Sequence, residues 1–119
     1  MKALFDTNIL IDYLAGREEA DAELKRYPER LVSAITWMEV LVGARHEADE
    51  DVIDMFLRDF RVVDVTRQVA RQAVSLRKVH RMRLPDAIIW ASAQSESALL
   101  VTRNTRDFPK GEPGLRVPY

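Results

Sequence analysis

A short apolar run, Ala3-Leu4-Phe5, gives way to three polar residues, Asp6-Thr7-Asn8, and a second apolar run starts at Ile9. The first run reads as a strand buried on both faces, and the stretch from Ile9 to Leu14 as a helix. Arg17-Glu18-Glu19 then opens a polar helix that stops near Tyr27-Pro28, where proline discourages continuation. Leu31-Val32-Ser33 predicts a second strand. A helix from Thr36 to about His46 follows, with Trp37, Val40, Leu41 and Ala44 on one face. Asp49-Glu50-Asp51 suits the dipole at the start of a helix carrying Val52, Ile53, Phe56, Leu57 and Phe60.

Val62-Val63-Asp64-Val65 predicts a third strand, and Thr66 caps a helix whose Val69, Ala73, Leu76 and His80 form one stripe. Leu84-Pro85-Asp86 opens the most apolar helix of the chain, with proline at its first position. Leu99 to Thr102 predicts a fourth strand and Leu115-Arg116-Val117 a short fifth. Strands alternate with helices throughout, which predicts a parallel sheet flanked by helices. Asp6, the residues after Val101 and a helix N-terminus then share the edge of the sheet where such folds bind ligands.

Length and composition narrow the class. A chain of 119 residues suits one domain spanning 1–119, and without cysteine there are no disulfides and no thiolate metal sites. No apolar run approaches the roughly 20 residues that span a bilayer, and Met1-Lys2 leads straight into the first strand. No membrane association and a cytoplasmic location are therefore expected. Net charge is −1 but uneven: residues 1–65 hold 8 Lys/Arg against 15 Asp/Glu, and residues 66–119 hold 10 against 4. A basic half can hold a polyanion, although solvated helix faces are the commoner source of such asymmetry.

The candidate chemistry lies in the acids. Asp6 is either the cap of the helix after it or a partly desolvated carboxylate in need of a cation or donors. Glu39 completes a capping box with Thr36, yet it projects off the apolar face with Gly43 one turn on. Asp86 either offsets a helix dipole or, in so apolar a helix, sits buried and calls for a positive partner. Asn104 and Asp107 follow the fourth strand, as turn formers or as oxygen donors. Such oxygen-bearing side chains gathered at one sheet edge would repel one another, and a hard divalent cation, Mg²⁺ or Mn²⁺, would relieve that. His46 and His80 lack zinc spacing, and no glycine-rich phosphate loop is present. The basic run Arg67, Arg71, Arg77, Lys78, Arg81 and Arg83 could hold phosphates nearby, with Arg103 and Arg106 nearer still.

Taken together, Phe5-Asp6-Thr7-Asn8, Thr36-Trp37-Met38-Glu39 with Gly43, Leu84-Pro85-Asp86-Ala87, and Val101 through Phe108 resemble, in order and spacing, the successive motifs of PIN-domain nucleases. The branch they are most similar to is the VapC-type toxin of toxin–antitoxin pairs. The resemblance implies a three-layer α/β/α sandwich around a central parallel sheet of four to five strands. It also implies a Mg²⁺- or Mn²⁺-dependent endoribonuclease, a homodimer, and a cognate antitoxin that reaches into the acidic pocket. Asp6, Glu39 and Asp86 take the positions of the family's metal-binding acids. The fourth acidic position falls on Asn104, a departure shared by part of the family, with Asp107 as the available substitute. Thr7 supports Asp6, while Arg83, Arg103 and Arg106 position RNA. Two other readings remain at this stage. One is a phosphoryl-transfer protein with Asp6 as acceptor; the other is a non-catalytic module that docks RNA or a protein through its basic helix.

Overall fold

The computed structural model describes residues 1–119. Five parallel strands, β1 (Lys2–Phe5), β2 (Glu29–Ser33), β3 (Arg61–Val63), β4 (Leu99–Val101) and β5 (Leu115–Arg116), form one sheet in the order β3-β2-β1-β4-β5. Six helices accompany them: α1 (Thr7–Leu14), α2 (Glu18–Lys25), α3 (Ala34–Val42), α4 (Glu47–Leu57), α5 (Arg67–His80) and α6 (Leu84–Ser95). The first strand made is the central one. Its register sets Phe5 beside Val101 and Leu4 beside both Leu31 and Leu100.

Strand side chains alternate between faces, so β1 feeds two cores. Leu4 joins Leu31 and Val63 under Val69, Ala73 and Leu76 of α5 and the apolar face of α6. Ala3 and Phe5 join Val32 and Val101 under Ile9, Leu10, Ala20, Leu24, Val40, Leu57 and Phe60. Three layers result, an α/β/α sandwich. No helix is long and apolar enough to cross a membrane.

Several boundaries differ from the sequence expectation, each for a physical reason. The helix expected to start at Thr36 starts at Ala34, because Ser33 is its cap and accepts from the Ile35 N–H at 3.1 Å. It ends at Val42 rather than near His46. Gly43 closes it in ordinary right-handed geometry, and a Cβ there would meet only Val40 O of its own helix, at 3.3 Å. Of the face expected from Trp37, Val40, Leu41 and Ala44, only Val40 is fully buried. The early start turns Thr36 inward and leaves Trp37 at the surface. β3 is Arg61–Val63, shorter at its end than the apolar run suggested, since Asp64 and Val65 lie beyond the register with β2. Thr66 caps α5 as expected, 3.2 Å from the Val69 N–H.

Candidate metal centre

Parallel strands end at a common edge, where α1 follows β1 and α3 follows β2, and Asp6, Glu39 and Asp86 of α6 lie near enough for the charges of the last two to act on the first. Asp6 is the cap of α1. Its Oδ1 accepts from the Thr7 N–H at 2.8 Å, while its Oδ2 accepts from Thr102 Oγ1 at 2.7 Å and from Asn8 Nδ2 at 3.2 Å. Both sequence alternatives for Asp6 therefore hold at once: it caps the helix and it is buried, at 4% exposure. Burial pushes its carboxyl up to about 6 against the pull of the Thr102 and Thr7 hydrogen bonds, and the charges of Asp86 and Glu39 add to the rise. Three donors do not offset what desolvation costs this group.

Glu39, on α3, does not close a capping box. Its Oε1 lies 2.7 Å from Thr7 Oγ1, which also lies 3.0 Å from Thr36 Oγ1. A hydroxyl has one proton to donate. The Thr7 proton goes to the carboxylate, leaving Thr36 to donate in the second contact. This chain of hydroxyls joins α1 to α3 and fixes Glu39 from outside its own helix.

Asp86 sits in the first turn of α6. Its Oδ2 is sealed from solvent and has no hydrogen-bond partner. The nearest cation, Arg83 Nε, stands 3.6 Å away, an ion pair too long for a hydrogen bond. Burial raises the carboxyl above its ordinary range, the charge of Asp107 adds to this, Arg83 opposes it, and Glu39 raises it again. Asp6 thus feels the charges of Asp86 and Glu39, and Asp86 those of Asp107 and Glu39.

The loop after β4 uses its polar groups internally. Asn104 Oδ1 accepts from the N–H groups of Arg106 and Asp107 at 3.2 and 3.1 Å, and Asn104 Nδ2 donates to Asp107 Oδ2 at 2.8 Å. Asn104 is a turn former here, and it presents Asp107, whose carboxyl it holds below the usual range with help from Arg83 and Arg106. Arg83 Nη2 also donates to Asp107 Oδ2, at 3.3 Å. Arg103 is held elsewhere, bidentate on Asp12 at 2.8 and 3.2 Å. Arg106 is exposed and adds its charge near Asp107. The basic side chains of α5 and Arg81 all face solvent.

Two residues of this edge carry no signal in the sequence beyond their place in a run. Thr102 is buried, donates to Asp6 and receives the Asn104 N–H at 3.0 Å. Asn8 reaches Asp6 with its amide nitrogen and the Arg103 N–H with its oxygen, at 3.2 Å. The register gave the clue for Thr102, since Phe5 pairs with Val101 and the next residue on each strand must meet.

The donors are all oxygen, the set is anionic, and the Asp86 Oδ2 is orphaned and buried. These features fit a hard divalent cation. No three acid or histidine side chains are gathered closely enough to clasp an ion as they stand.

The family model described as PIN domain matches residues 3–111 of this chain. A chain of a toxin–antitoxin complex from Klebsiella pneumoniae is 47% identical, with 98% of each chain covered and a TM-score of 0.93. A chain of DNA-bound VapBC from Salmonella typhimurium is 26% identical over 98% of this chain and 96% of that one, with a TM-score of 0.82. One of FitAcB from Neisseria gonorrhoeae is 25% identical over 98% and 97%, with a TM-score of 0.76. None of the curated proteins matches.

Proposed function

The chain belongs to the PIN domain family, and we propose that it is the toxin of a toxin–antitoxin pair, a metal-dependent endoribonuclease that hydrolyses RNA phosphodiester bonds. The observation that carries this reading is the treatment of Asp86: a carboxylate oxygen sealed from water, without a donor, and within the field of other acids. Folding leaves such an atom unpaired only at a cost of about 1–3 kcal/mol or more. A bound cation would repay it.

Asp6, Glu39 and Asp86 would hold Mg²⁺ or Mn²⁺, with Asp107 as the fourth acid at the rim. When bound, such an ion supplies a Lewis acid for the phosphate and acidity for water at neutral pH. The chain's own contribution is orientation. Thr102, Asn8 and the Thr7 N–H fix both oxygens of Asp6, and the Thr7 hydroxyl fixes Glu39. The exposed cations Arg67, Arg71, Arg77, Lys78 and Arg81 provide phosphate contacts that set position without reading sequence. A cognate antitoxin and a second copy of the chain are the proposed partners. Ile11, Met38, Val42, Val52 and Met55, apolar yet exposed on α1, α3 and α4, are the surface open to them.

The direct test incubates purified protein with total RNA, with Mg²⁺ or Mn²⁺ and with chelator. Cleavage that needs the ion and disappears in Asp6→Asn, with an unchanged circular dichroism spectrum, supports the assignment. RNA bound tightly but left intact in every condition would move the chain to a non-catalytic binding role.

A further inference from the structure

Arg83 is the arginine whose guanidinium lies within the acid group itself. It occupies the cap position of α6 without capping the helix. Instead its Nε stands 3.6 Å from Asp86 Oδ2 and its Nη2 3.3 Å from Asp107 Oδ2, so one cation spans two carboxylates from different elements. Its side chain remains 77% exposed. Arg17 is held in a similar way, over Asp12 and Glu19 at 3.7 and 3.5 Å, but two other arginines are gripped more closely. Arg116 grips Glu23 at 2.6 and 3.0 Å, and Arg103 grips Asp12 at 2.8 and 3.2 Å, each with two nitrogens on one carboxylate. Those contacts have the fork geometry of permanent pairs. Arg83 has neither the distances nor the enclosure, and it leaves the Asp86 oxygen without a hydrogen bond.

We propose that Arg83 is an exchangeable counter-ion: it neutralises Asp86 and Asp107 while no metal is bound, and a divalent cation entering among the acids displaces it toward solvent. The inference rests on the cation-binding reading above. Three features make exchange feasible. The guanidinium is tethered on the solvent side, so nothing buried must move. Its contacts are long, so little geometry is lost on leaving. The acid it serves most poorly, Asp86, is the one that gains most from a better partner. The displaced guanidinium stays at the rim, two residues along the chain from the exposed Arg81.

Competition between two cations for one set of acids predicts that deleting the resident one tightens binding of the other. Metal-free full-length protein is titrated with Mn²⁺ by calorimetry, with free Mn²⁺ followed by electron paramagnetic resonance, in the absence of RNA. Arg83→Ala, and Arg83→Gln which keeps most of the side-chain stem, should bind about three- to fivefold more tightly than wild type, the range expected for loss of a solvent-exposed pairing. Arg106→Ala is the control, because Arg106 also places charge near Asp107 without donating to it from its side chain. It should bind as wild type does. Arg83 variants that match wild type or bind more weakly overturn the exchange, and so does an equal gain in Arg106→Ala, which would reflect a general field. A wild-type chain that binds no Mn²⁺ overturns the exchange and the nuclease reading together, whereas wild-type binding with no gain in the Arg83 variants overturns the exchange alone.

Discussion

Glu23 and Asp86 are both helix carboxylates facing the interior, and the fold treats them in opposite ways. Glu23, only 4% exposed, receives two hydrogen bonds from Arg116 on β5, a third from the Tyr27 hydroxyl at 3.1 Å, and the charge of Arg26. Burial pushes its carboxyl up, but the Arg116 and Tyr27 contacts outweigh this and leave it below the ordinary range. Asp86 is raised, with one oxygen unserved. The same chain thus satisfies a buried acid completely where the acid ties α2 to the sheet, and leaves one unsatisfied where three helices meet the sheet's carboxyl edge. The difference separates an acid tied into the fold from one left with an oxygen that no donor reaches.

Substitution at the two ends of this contrast should give opposite signatures. Asp86→Asn should lower metal-dependent RNA cleavage at least ~100-fold, since even partners of a metal ligand are worth 10–100-fold. The metal-free protein should meanwhile lose no stability and gain up to about 1 kcal/mol, read by urea denaturation, because a strained charge is removed. Glu23→Ala should destabilise by about 3 kcal/mol, the lower end for a broken buried pair because Arg116 keeps some access to water. Equal stability losses in the two variants would erase the distinction.

Acid should act on the Glu23 end in a definite direction. A carboxyl whose folded value lies below its unfolded value, near 4.3, stabilises fully above that value and loses the contribution as pH falls through the folded one. The stability gap between wild type and Glu23→Gln should therefore stay constant from neutral pH to about 5 and close below about 4. Thr7→Val, which removes the donor to Glu39, should cost cleavage about tenfold with little change in the melting midpoint. The smallest effect is expected for Tyr119→Phe. It deletes the 2.7 Å hydrogen bond to Asp12 and should cost about 1 kcal/mol of stability with cleavage nearly intact.

The sandwich itself was legible because its signals are local. Alternation in β1 sends Leu4 to one core and Ala3 and Phe5 to the other, and the Thr66 cap and the apolar α6 follow from rules that act over a turn or two. The site was legible only as a set of candidate acids. Thr36 and Glu39 satisfy a local capping rule, yet both are engaged by Thr7, about thirty residues earlier in the chain. Arg103 looked like a phosphate ligand from its place after β4, but its partner Asp12 lies 91 positions away. Side chains whose partners are set by strand order cannot be read from spacing, and Thr7, Thr102 and Arg103 are of that kind.

The central place of β1 also governs when the acidic edge can exist. Asp6, Glu39 and Asp86 all leave the ribosome before Leu99, yet β1 lacks its second neighbour, and Asp6 its shortest donor, until β4 and Thr102 follow. A nascent copy halted short of that strand carries all three leading acids, but β1 has one neighbour instead of two and Asp6 lacks the Thr102 hydroxyl.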